Sequence, residues 1–302
     1  MGSLQTSNEN NEPPVWLVVV GLGSKSWDRG AQRLGKQAKD SQLFSNVIIL
    51  NEKSLRVMIS EMYTDHGKFI TENRRGHGYW LWKPWILHHI LKNELPDGHT
   101  LVYLDGGCEL NLTVSSVSRF SEYLLLTQLD GLLAFQLNDK LADWCKMDLL
   151  VETRLIDRAR DIKVVQAGVI MLAKTVQNEQ MLAQWKNLAF KNSYRFLDDS
   201  PSEKANQRGF IEHRHDQAIW TVLMANRGYQ GKPNETAFDF GWRSQPNDFP
   251  IWAARNASRF SYAGSRPSRL TAASLFQIRR IRNVVRRRIH KKAFTFSLRN
   301  PS

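Results

Sequence analysis

The chain has 302 residues, 42% of them hydrophobic and 24% charged, and it contains ten tryptophans, a composition that excludes a largely disordered protein. The formal net charge is +13, but the eight Lys and Arg residues at 279–292 leave only +13 − 8 = +5 for the rest of the chain. The basic excess is concentrated in one segment, which argues against a nucleic-acid-binding surface spread over the whole protein.

The predicted elements alternate between strands and helices. The run Val15–Val20 is continuously apolar, as in a buried strand, and a helical stretch at 30–39 leads to a second strand at Asn46–Leu50. Pro84 lies in the first turn of a helix predicted over 83–95. Further strands are predicted at 100–104, 131–135 and 164–172, and further helices at 115–126 and 177–190. This order predicts an α/β fold with a mostly parallel central sheet flanked by helices.

The chain is predicted to divide into three parts. Residues 1–14 are polar and are expected to form a disordered leader, and residues 15–262 are expected to form one globular domain. Residues 263–302 form a basic tail in which apolar residues recur along one helical stripe. The segment 269–292 can dock on an anionic membrane surface, and a solvated charged helix is the alternative.

Several features of the sequence indicate the cellular compartment in which the protein is found. Two cysteines, Cys108 and Cys145, are too few for a disulfide framework in a chain of this length, which indicates a reducing environment. The first residues show no secretory signal pattern, and no apolar stretch approaches the roughly 20 residues that span a bilayer. We expect a cytoplasmic protein, either free or peripheral on the cytosolic face of a membrane.

The first candidate site is the segment LVYLDGGCELN, where Asp105, Gly106 and Gly107 follow a predicted strand directly. In an open parallel sheet, ligands bind beyond the carboxyl ends of the strands, and glycines let a ligand approach the backbone closely. A single carboxylate there suits a divalent cation that bridges a diphosphate. The alternative is a turn aspartate that only caps the two glycines.

Two further candidates lie later in the chain. In QAGVIML, Gln166 and Gly168 enter a buried strand, where small residues let backbone contact a sugar or a phosphate, although a plain strand start is equally consistent. In EHRHDQAIW, the residues His213, His215, Asp216 and Gln217 open a helix. They can simply cap that helix, or they can supply a metal ligand or a general base. The spacing does not indicate zinc.

The last candidates are cationic. In GHGYWLWKPWIL, Trp82 and Lys83 stand at the start of a helix, where a cation is unfavourable unless an anion such as a phosphate answers it. Trp82 is equally consistent with a core position. In WCKMDLL, Lys146 and Asp148 by themselves indicate no more than a helix surface pair.

Taken in order, these five segments resemble a group of small, mostly bacterial glycosyltransferase-like proteins, similar to the GT-A superfamily of nucleotide-sugar transferases. Glycogenin-like enzymes of that superfamily have a strand that ends in Asp-x-Asp, then Asn-Ala-Gly, then Asp-Gln at the start of a helix. Here the corresponding positions are 105–107, 166–168 and 216–217. The resemblance covers about residues 15–229 and implies a single Rossmann-like GT-A domain.

The resemblance also implies an activity and roles for the candidates. It implies transfer of a hexose-type sugar from a UDP- or GDP-type donor, often with Mn²⁺ or Mg²⁺, to a glycan, polysaccharide or lipid-linked acceptor. The implied catalytic residues are Asp105 and Asp216. The implied residues for the donor and its sugar are Trp82, Lys83, Gly106, Gly107, Lys146, Asp148, Gln166, Gly168 and Gln217. The implied metal ligands are Asp105, Glu109, His213 and His215.

One departure from the superfamily pattern affects this interpretation. Position 107 is glycine where the superfamily has its second aspartate, often the closest metal ligand, so a metal requirement is not implied by the motif itself. Either Glu109, His213 or His215 substitutes as a ligand, or Lys83 and nearby arginines replace the ion. Two other functions stay open on the sequence alone. The chain can be a sugar-nucleotide-binding protein without catalysis, or a nucleic-acid-binding protein that uses its basic tail.

Overall fold

The computed structural model describes residues 13–236 and 248–261. Residues 1–12 of the predicted leader and the whole predicted tail lie outside the described residues, so the three-part division stays a prediction. In the described ranges, no helix is both long enough and apolar enough to span a bilayer.

The described elements follow the alternation that the sequence predicts, with two helices in the segment 52–72 that it does not predict. The strands are β1 (Val15–Val20), β2 (Asn46–Leu50), β3 (Thr100–Asp105), β4 (Glu109–Leu110), β5 (Leu132–Lys140), β6 (Lys163–Ala173) and β7 (Ile251–Trp252). The helical segments are α1 (Lys25–Ser41), α2 (Glu52–Met58), α3 (Ser60–Glu72), α4 (Gly76–Tyr79), α5 (Trp82–His89), a π-helical turn (Ile90–Glu94), α6 (Val114–Asp130), α7 (Leu141–Trp144), α8 (Met147–Glu152), α9 (Val176–Phe190) and α10 (His215–Asn226).

The central sheet has five strands in the order β2-β1-β3-β6-β5. β1 pairs in parallel with both β2 and β3, whereas β6 is antiparallel to β3 and to β5. Four of the five strands therefore run in one direction and β6 runs against them. The predicted α/β fold with a mostly parallel sheet is confirmed.

Apolar side chains cover both faces of this sheet. Along β1, Leu17 and Val19 face one apolar cluster, and Val18 and Val20 face another, because successive side chains of a strand point to opposite sides. A second small sheet joins β4 to β7 in antiparallel pairing. That pairing brings residues 251–256 against the carboxyl end of β3.

The segment before α5 has an unusual backbone. All five residues from Gly76 to Trp80 have a positive φ, between 53° and 81°. Glycine is required at Gly76, because an added Cβ would lie 2.4 Å from the Trp80 ring. A left-handed backbone costs roughly 1–2 kcal/mol at each non-glycine residue. The surrounding packing therefore holds this turn in place directly before the helix that carries Lys83.

Candidate functional site

A buried lysine joins two carboxylates at the carboxyl end of β3. The Lys83 ammonium donates to Asp216 Oδ2 at 2.7 Å and to the Ala167 carbonyl at 3.0 Å, and it lies 3.4 Å from Asp105 Oδ1. Its side chain is only 3% exposed, and that of Asp216 is 8% exposed. These three side chains and Tyr103 form what we call the Lys83 cluster. Three residues from three separate sequence motifs thus meet at one point.

Asp105 is the member of the Lys83 cluster that reaches solvent. Its side chain is 46% exposed, although its Oδ1 atom accepts a 2.6 Å hydrogen bond from the buried hydroxyl of Tyr103. The other oxygen, Oδ2, lies only 2.6 Å from where a Cβ on Gly168 would be. Because position 168 is glycine, there is space for the Asp105 carboxylate. The hydrogen bond from Tyr103 fixes Oδ1.

The charges of the Lys83 cluster depend on one another. Burial by itself lowers the pKa of Lys83, but the nearby Asp105 and Asp216 carboxylates outweigh it and hold that pKa above its usual value. Burial raises the pKa of Asp216 to about 6, against the opposing effect of the Lys83 ammonium. At neutral pH both groups are charged. One ammonium then faces two carboxylates, which leaves one negative charge on the exposed side of Asp105.

The two glycines after Asp105 pack against protein rather than leaving open space. A Cβ on Gly107 would lie 2.9 Å from both Arg255 Cα and the Trp27 ring, and a Cβ on Gly106 would lie 3.0 Å from the Val20 carbonyl. These glycines were predicted to let a ligand approach the backbone. In the structure, neighbouring segments of the chain pack closely against both glycines. A side chain at position 107 would clash with them, which is a steric reason why this position carries no second carboxylate.

Glu109 lies in a separate buried cluster. Arg33 donates to Glu109 Oε1 at 2.6 Å, Asn256 donates to the same oxygen at 2.5 Å, and Ser261 donates to Oε2 at 2.7 Å. The Glu109 side chain is fully buried. We call these four residues the Glu109 cluster. Both carboxylate oxygens are occupied there, so the structure does not bring Glu109 to Asp105 as a metal ligand.

The two predicted histidines hold the segment that precedes α10. His213 Nε2 donates to the Phe196 carbonyl at 2.9 Å, and His215 Nδ1 donates to the Leu197 carbonyl at 2.7 Å. Burial lowers the pKa of His213 well below its usual value and that of His215 to about 4, so both rings are neutral at pH 7. Their contacts anchor a loop, and they do not meet Asp105.

Lys146 and Asp148 anchor the same loop. The buried Lys146 ammonium lies 3.2 Å from Asp198 Oδ1 and also donates to the Ser200 carbonyl at 3.1 Å. Asp148 accepts from the backbone N–H of Glu203 at 2.9 Å. These residues were predicted to be near the donor, and the structure instead gives them contacts to the loop at 196–206.

The remaining predicted residues make hydrogen bonds to other parts of the protein and not to Asp105. Gln166 Oε1 accepts a hydrogen bond from the Thr236 hydroxyl at 2.7 Å, and Gln217 donates to the Val165 carbonyl at 3.2 Å. The buried Trp82 indole donates to the Gly76 carbonyl at 3.0 Å, which fastens the left-handed turn. Trp82 therefore takes the core position that the sequence analysis held as the alternative.

The carboxylate of Asp105 is the one predicted metal ligand at the open end of the sheet. Within residues 13–236 and 248–261, no three His, Cys, Asp or Glu side chains are grouped so that they could hold a metal ion. Mg²⁺ is commonly bound by one or two carboxylates together with substrate phosphates and water, rather than by a cage of protein ligands. The half-exposed Asp105 fits that arrangement, whereas Glu109, His213 and His215 do not contribute to it.

Tyr103 is the functional candidate that sequence reasoning missed. Residues i and i+2 of a strand point to the same face, so Tyr103 and Asp105 were certain to be neighbours once the strand was assigned. The aromatic ring alone indicated only a core residue. Its hydroxyl becomes a functional candidate because it donates to the carboxylate two positions later.

The solved structures that resemble this chain include two of low similarity. Mouse xyloside xylosyltransferase 1, in its apo form, is 12% identical with a TM-score of 0.42 over 80% of this chain and 97% of its own. An active-site mutant of LgtC is 12% identical with a TM-score of 0.33 over 82% of this chain and 85% of its own. No protein-family model matches the sequence, and no curated protein is similar to it. Likeness at this level assigns no role to any residue of the chain.

Proposed function

We propose that this chain is a glycosyltransferase with a GT-A-type domain, which moves a sugar from a nucleotide-diphosphate donor to a glycan acceptor. The observation that carries the proposal is Asp105, a half-exposed carboxylate at the carboxyl end of a central strand, with one oxygen fixed by Tyr103 and Lys83. Ligands of open α/β sheets bind at this end of the strands. The motif order in the sequence, from Asp105 through Gly168 to Asp216, supports the same function.

Asp105 is the residue that would hold a Mn²⁺ or Mg²⁺ ion together with the donor diphosphate. When bound, such an ion stabilises the negative charge that the diphosphate leaving group develops. The net negative charge of the Lys83 cluster supports this assignment, because a diphosphate without a cation would be repelled by Asp105. The nucleotide is therefore expected to bind more tightly with the ion than without it.

Lys83 and Asp216 act in this proposal by fixing Asp105. The Lys83 ammonium is buried among three protein oxygens, so its contribution is to hold the position and charge of the two carboxylates. Asp216, which was predicted to contact the acceptor or to take its proton, is nearly buried and bound to Lys83. We therefore assign Asp216 a positioning role.

The acceptor is a glycan in this proposal, either a polysaccharide or a lipid-linked sugar. The polybasic segment 269–292 would bring the domain to an anionic membrane surface if the acceptor is lipid-linked. This part of the proposal rests on the sequence alone, since that segment lies outside the described residues.

The proposal is tested by a thermal-shift screen of UDP- and GDP-sugars, each with and without Mn²⁺. A ligand that binds the native state raises the melting temperature. We expect one nucleotide family to raise it in the presence of Mn²⁺ and to do so less without it. Tight, salt-dependent binding of random-sequence DNA with no nucleotide effect would instead favour the nucleic-acid alternative. Nucleotide binding with neither transfer nor donor hydrolysis would favour a protein without catalysis.

A further inference from the structure

One exposed arginine, Arg255, lies against the turn that follows β3. The Cys108 N–H closes this turn by donating to the Asp105 carbonyl at 2.8 Å. A Cβ on Gly107, the third residue of the turn, would lie 2.9 Å from Arg255 Cα. Because Gly107 is only two residues from Asp105 in the same tight turn, the Arg255 side chain begins beside the proposed donor site.

The backbone of Arg255 has a conformation that arginine rarely adopts. Its φ is 51°, in the left-handed region, which is unfavourable for a residue with a Cβ atom. Such strain persists only where the surrounding structure holds it, and it is frequent at binding sites. Glycine or asparagine would fit this backbone better, so the conformation by itself gives no reason for an arginine at this position.

The two residues that flank Arg255 are buried and hold it in place. Ala254 and Asn256 are each only 3% exposed. The Asn256 N–H donates to the Gly107 carbonyl at 2.8 Å, which ties the segment to the turn after Asp105. The Asn256 side chain accepts from the Ser258 N–H at 3.0 Å, which closes the chain on the far side. Arg255 is therefore an exposed side chain on a fixed backbone.

The charge of the proposed donor site favours a cation at this position. The Lys83 ammonium is enclosed by three protein oxygens, and the Lys83 cluster keeps one net negative charge on the exposed side of Asp105. A bound diphosphate adds more negative charge there. In the superfamily pattern a second carboxylate helps to hold a metal ion, but the packing around Gly107 leaves no room for it. Arg255 adjoins the residue at which that carboxylate is missing.

We propose that Arg255 binds the diphosphate of the nucleotide donor beside Asp105. The planar guanidinium carries paired N–H donors that match two phosphate oxygens. Its positive charge supplies part of the neutralisation for which the superfamily pattern uses a second metal-binding carboxylate. This role rests on the proposed function and adds to it a residue that recognises the phosphates of the donor.

The test is calorimetric titration of UDP, GDP, UMP and GMP, with Mn²⁺, into the wild-type chain and three variants. Arg255→Asn removes the charge, and asparagine tolerates the left-handed backbone. Arg255→Lys keeps the charge but loses the paired donors. Arg259→Asn is the matched control, since Arg259 is an exposed arginine of the same segment whose guanidinium lies 5.0 Å from the Phe260 ring. The melting temperature of each protein is measured without nucleotide.

We expect one nucleoside diphosphate to bind the wild type, and Arg255→Asn to weaken it about tenfold to a hundredfold, as for loss of hydrogen bonds to a charged group. Arg255→Lys should have an intermediate affinity, and Arg259→Asn should match the wild type. The monophosphate with the same base should lose less affinity in Arg255→Asn, because it lacks the second phosphate. The melting temperature of Arg255→Asn should be no lower than that of the wild type.

Two results would overturn the role of Arg255 and leave the proposed donor site at Asp105 standing. One is equal affinity of Arg255→Asn and the wild type for the diphosphate, and the other is an equal loss of affinity in Arg259→Asn. A lower melting temperature of Arg255→Asn with unchanged affinity would assign Arg255 a structural role instead. If neither diphosphate binds the wild type, the proposed function fails together with this role.

Discussion

The Lys83 cluster and the Glu109 cluster lie near the same end of the sheet, and a buried cation is paired with two carboxylates in the first and with one in the second. In the Glu109 cluster, both carboxylate oxygens accept hydrogen bonds from protein and the side chain is fully buried. In the Lys83 cluster, Asp105 keeps 46% of its side chain exposed. A charged network is a candidate site where one of its charged groups stays accessible to solvent, as Asp105 does. It has a structural role where every charged group is buried and bonded to protein, as in the Glu109 cluster.

The largest effect is expected from breaking the buried ion pair of the Glu109 cluster. Arg33→Met leaves the fully buried Glu109 without its ion-pair partner, and removal of one partner from a buried pair costs about 3–5 kcal/mol. We expect the free energy of unfolding, measured by urea denaturation, to fall by that amount. Nucleotide affinity of the folded protein should stay unchanged. A loss of affinity without a loss of stability would reverse the roles of the two clusters.

The next effect concerns the missing second carboxylate. Gly107→Asp would restore the superfamily pattern in sequence, but its Cβ would lie 2.9 Å from the Arg255 backbone and the Trp27 ring. We expect a loss of about 1–3 kcal/mol in stability, as for overpacking. Calorimetry with Mn²⁺ should show no gain in metal affinity. A variant that is stable and binds Mn²⁺ more tightly would contradict this steric account.

A smaller effect is expected when Asp105 loses its fixed orientation. Tyr103→Phe removes the 2.6 Å hydrogen bond to Oδ1 and keeps the packing of the ring. A hydrogen bond to a charged group is worth about 1.5–3 kcal/mol, so we expect kcat/KM for transfer to fall at least tenfold. Tyr229→Phe is the control, since that hydroxyl contacts the Ala134 backbone and lies outside the site. A purely structural role for Tyr103 would lower stability and leave kcat/KM of the folded protein intact.

The smallest effect is expected from pH. The pKa of Asp216 is raised by burial from 3.8 to about 6, so below about pH 6 this carboxyl is protonated and Lys83 loses an anionic partner. The transfer rate should therefore fall to about half at pH 6 and further below it. Stability has the opposite sign: between pH 3.8 and 6 the folded state binds more protons, so the contribution of Asp216 to stability decreases as pH rises.

The matched variant for the pH effect is Asp216→Asn. Without a titrating carboxyl at 216, the step in the rate near pH 6 should disappear, whatever the remaining activity. Initial rates between pH 4.5 and 8 in both proteins provide the measurement. A step that persists unchanged in the variant would assign the titration to another group.

Much of the fold follows from local pattern, whereas much of the site does not. The apolar run at β1 and the helix at Pro84 are set by residues close in sequence, and they were predicted. The direction of β6 and the partners of Glu109 are not set by residues close in sequence. Glu109 contacts Arg33, Asn256 and Ser261, which lie up to 152 residues away. A polar residue next to a motif can belong to the candidate site or to a neighbouring structural cluster. Spacing in the sequence does not distinguish these two possibilities.

Within the site, the sequence pointed to Lys83, Asp105, Gly168 and Asp216, and the structure brings these residues together. Their assumed roles change because burial is a property of the folded chain. Lys83 and Asp216 are nearly inaccessible, so they position Asp105 rather than meet the substrate. Tyr103 was hidden for a different reason, since its hydroxyl matters only through the neighbour two residues away.

The measurement that tests the central claim most directly is calorimetric titration of UDP and GDP, with Mn²⁺, into wild-type protein, Asp105→Asn and Asp130→Asn. Asp130 is a matched control because its side chain is equally exposed and also lies near a lysine. We predict that one nucleotide binds the wild type and the control equally, and that Asp105→Asn weakens it at least tenfold, or about 1.4 kcal/mol. Equal affinity in Asp105→Asn, or no binding of either nucleotide to the wild type, would contradict the assignment of Asp105 to the donor site.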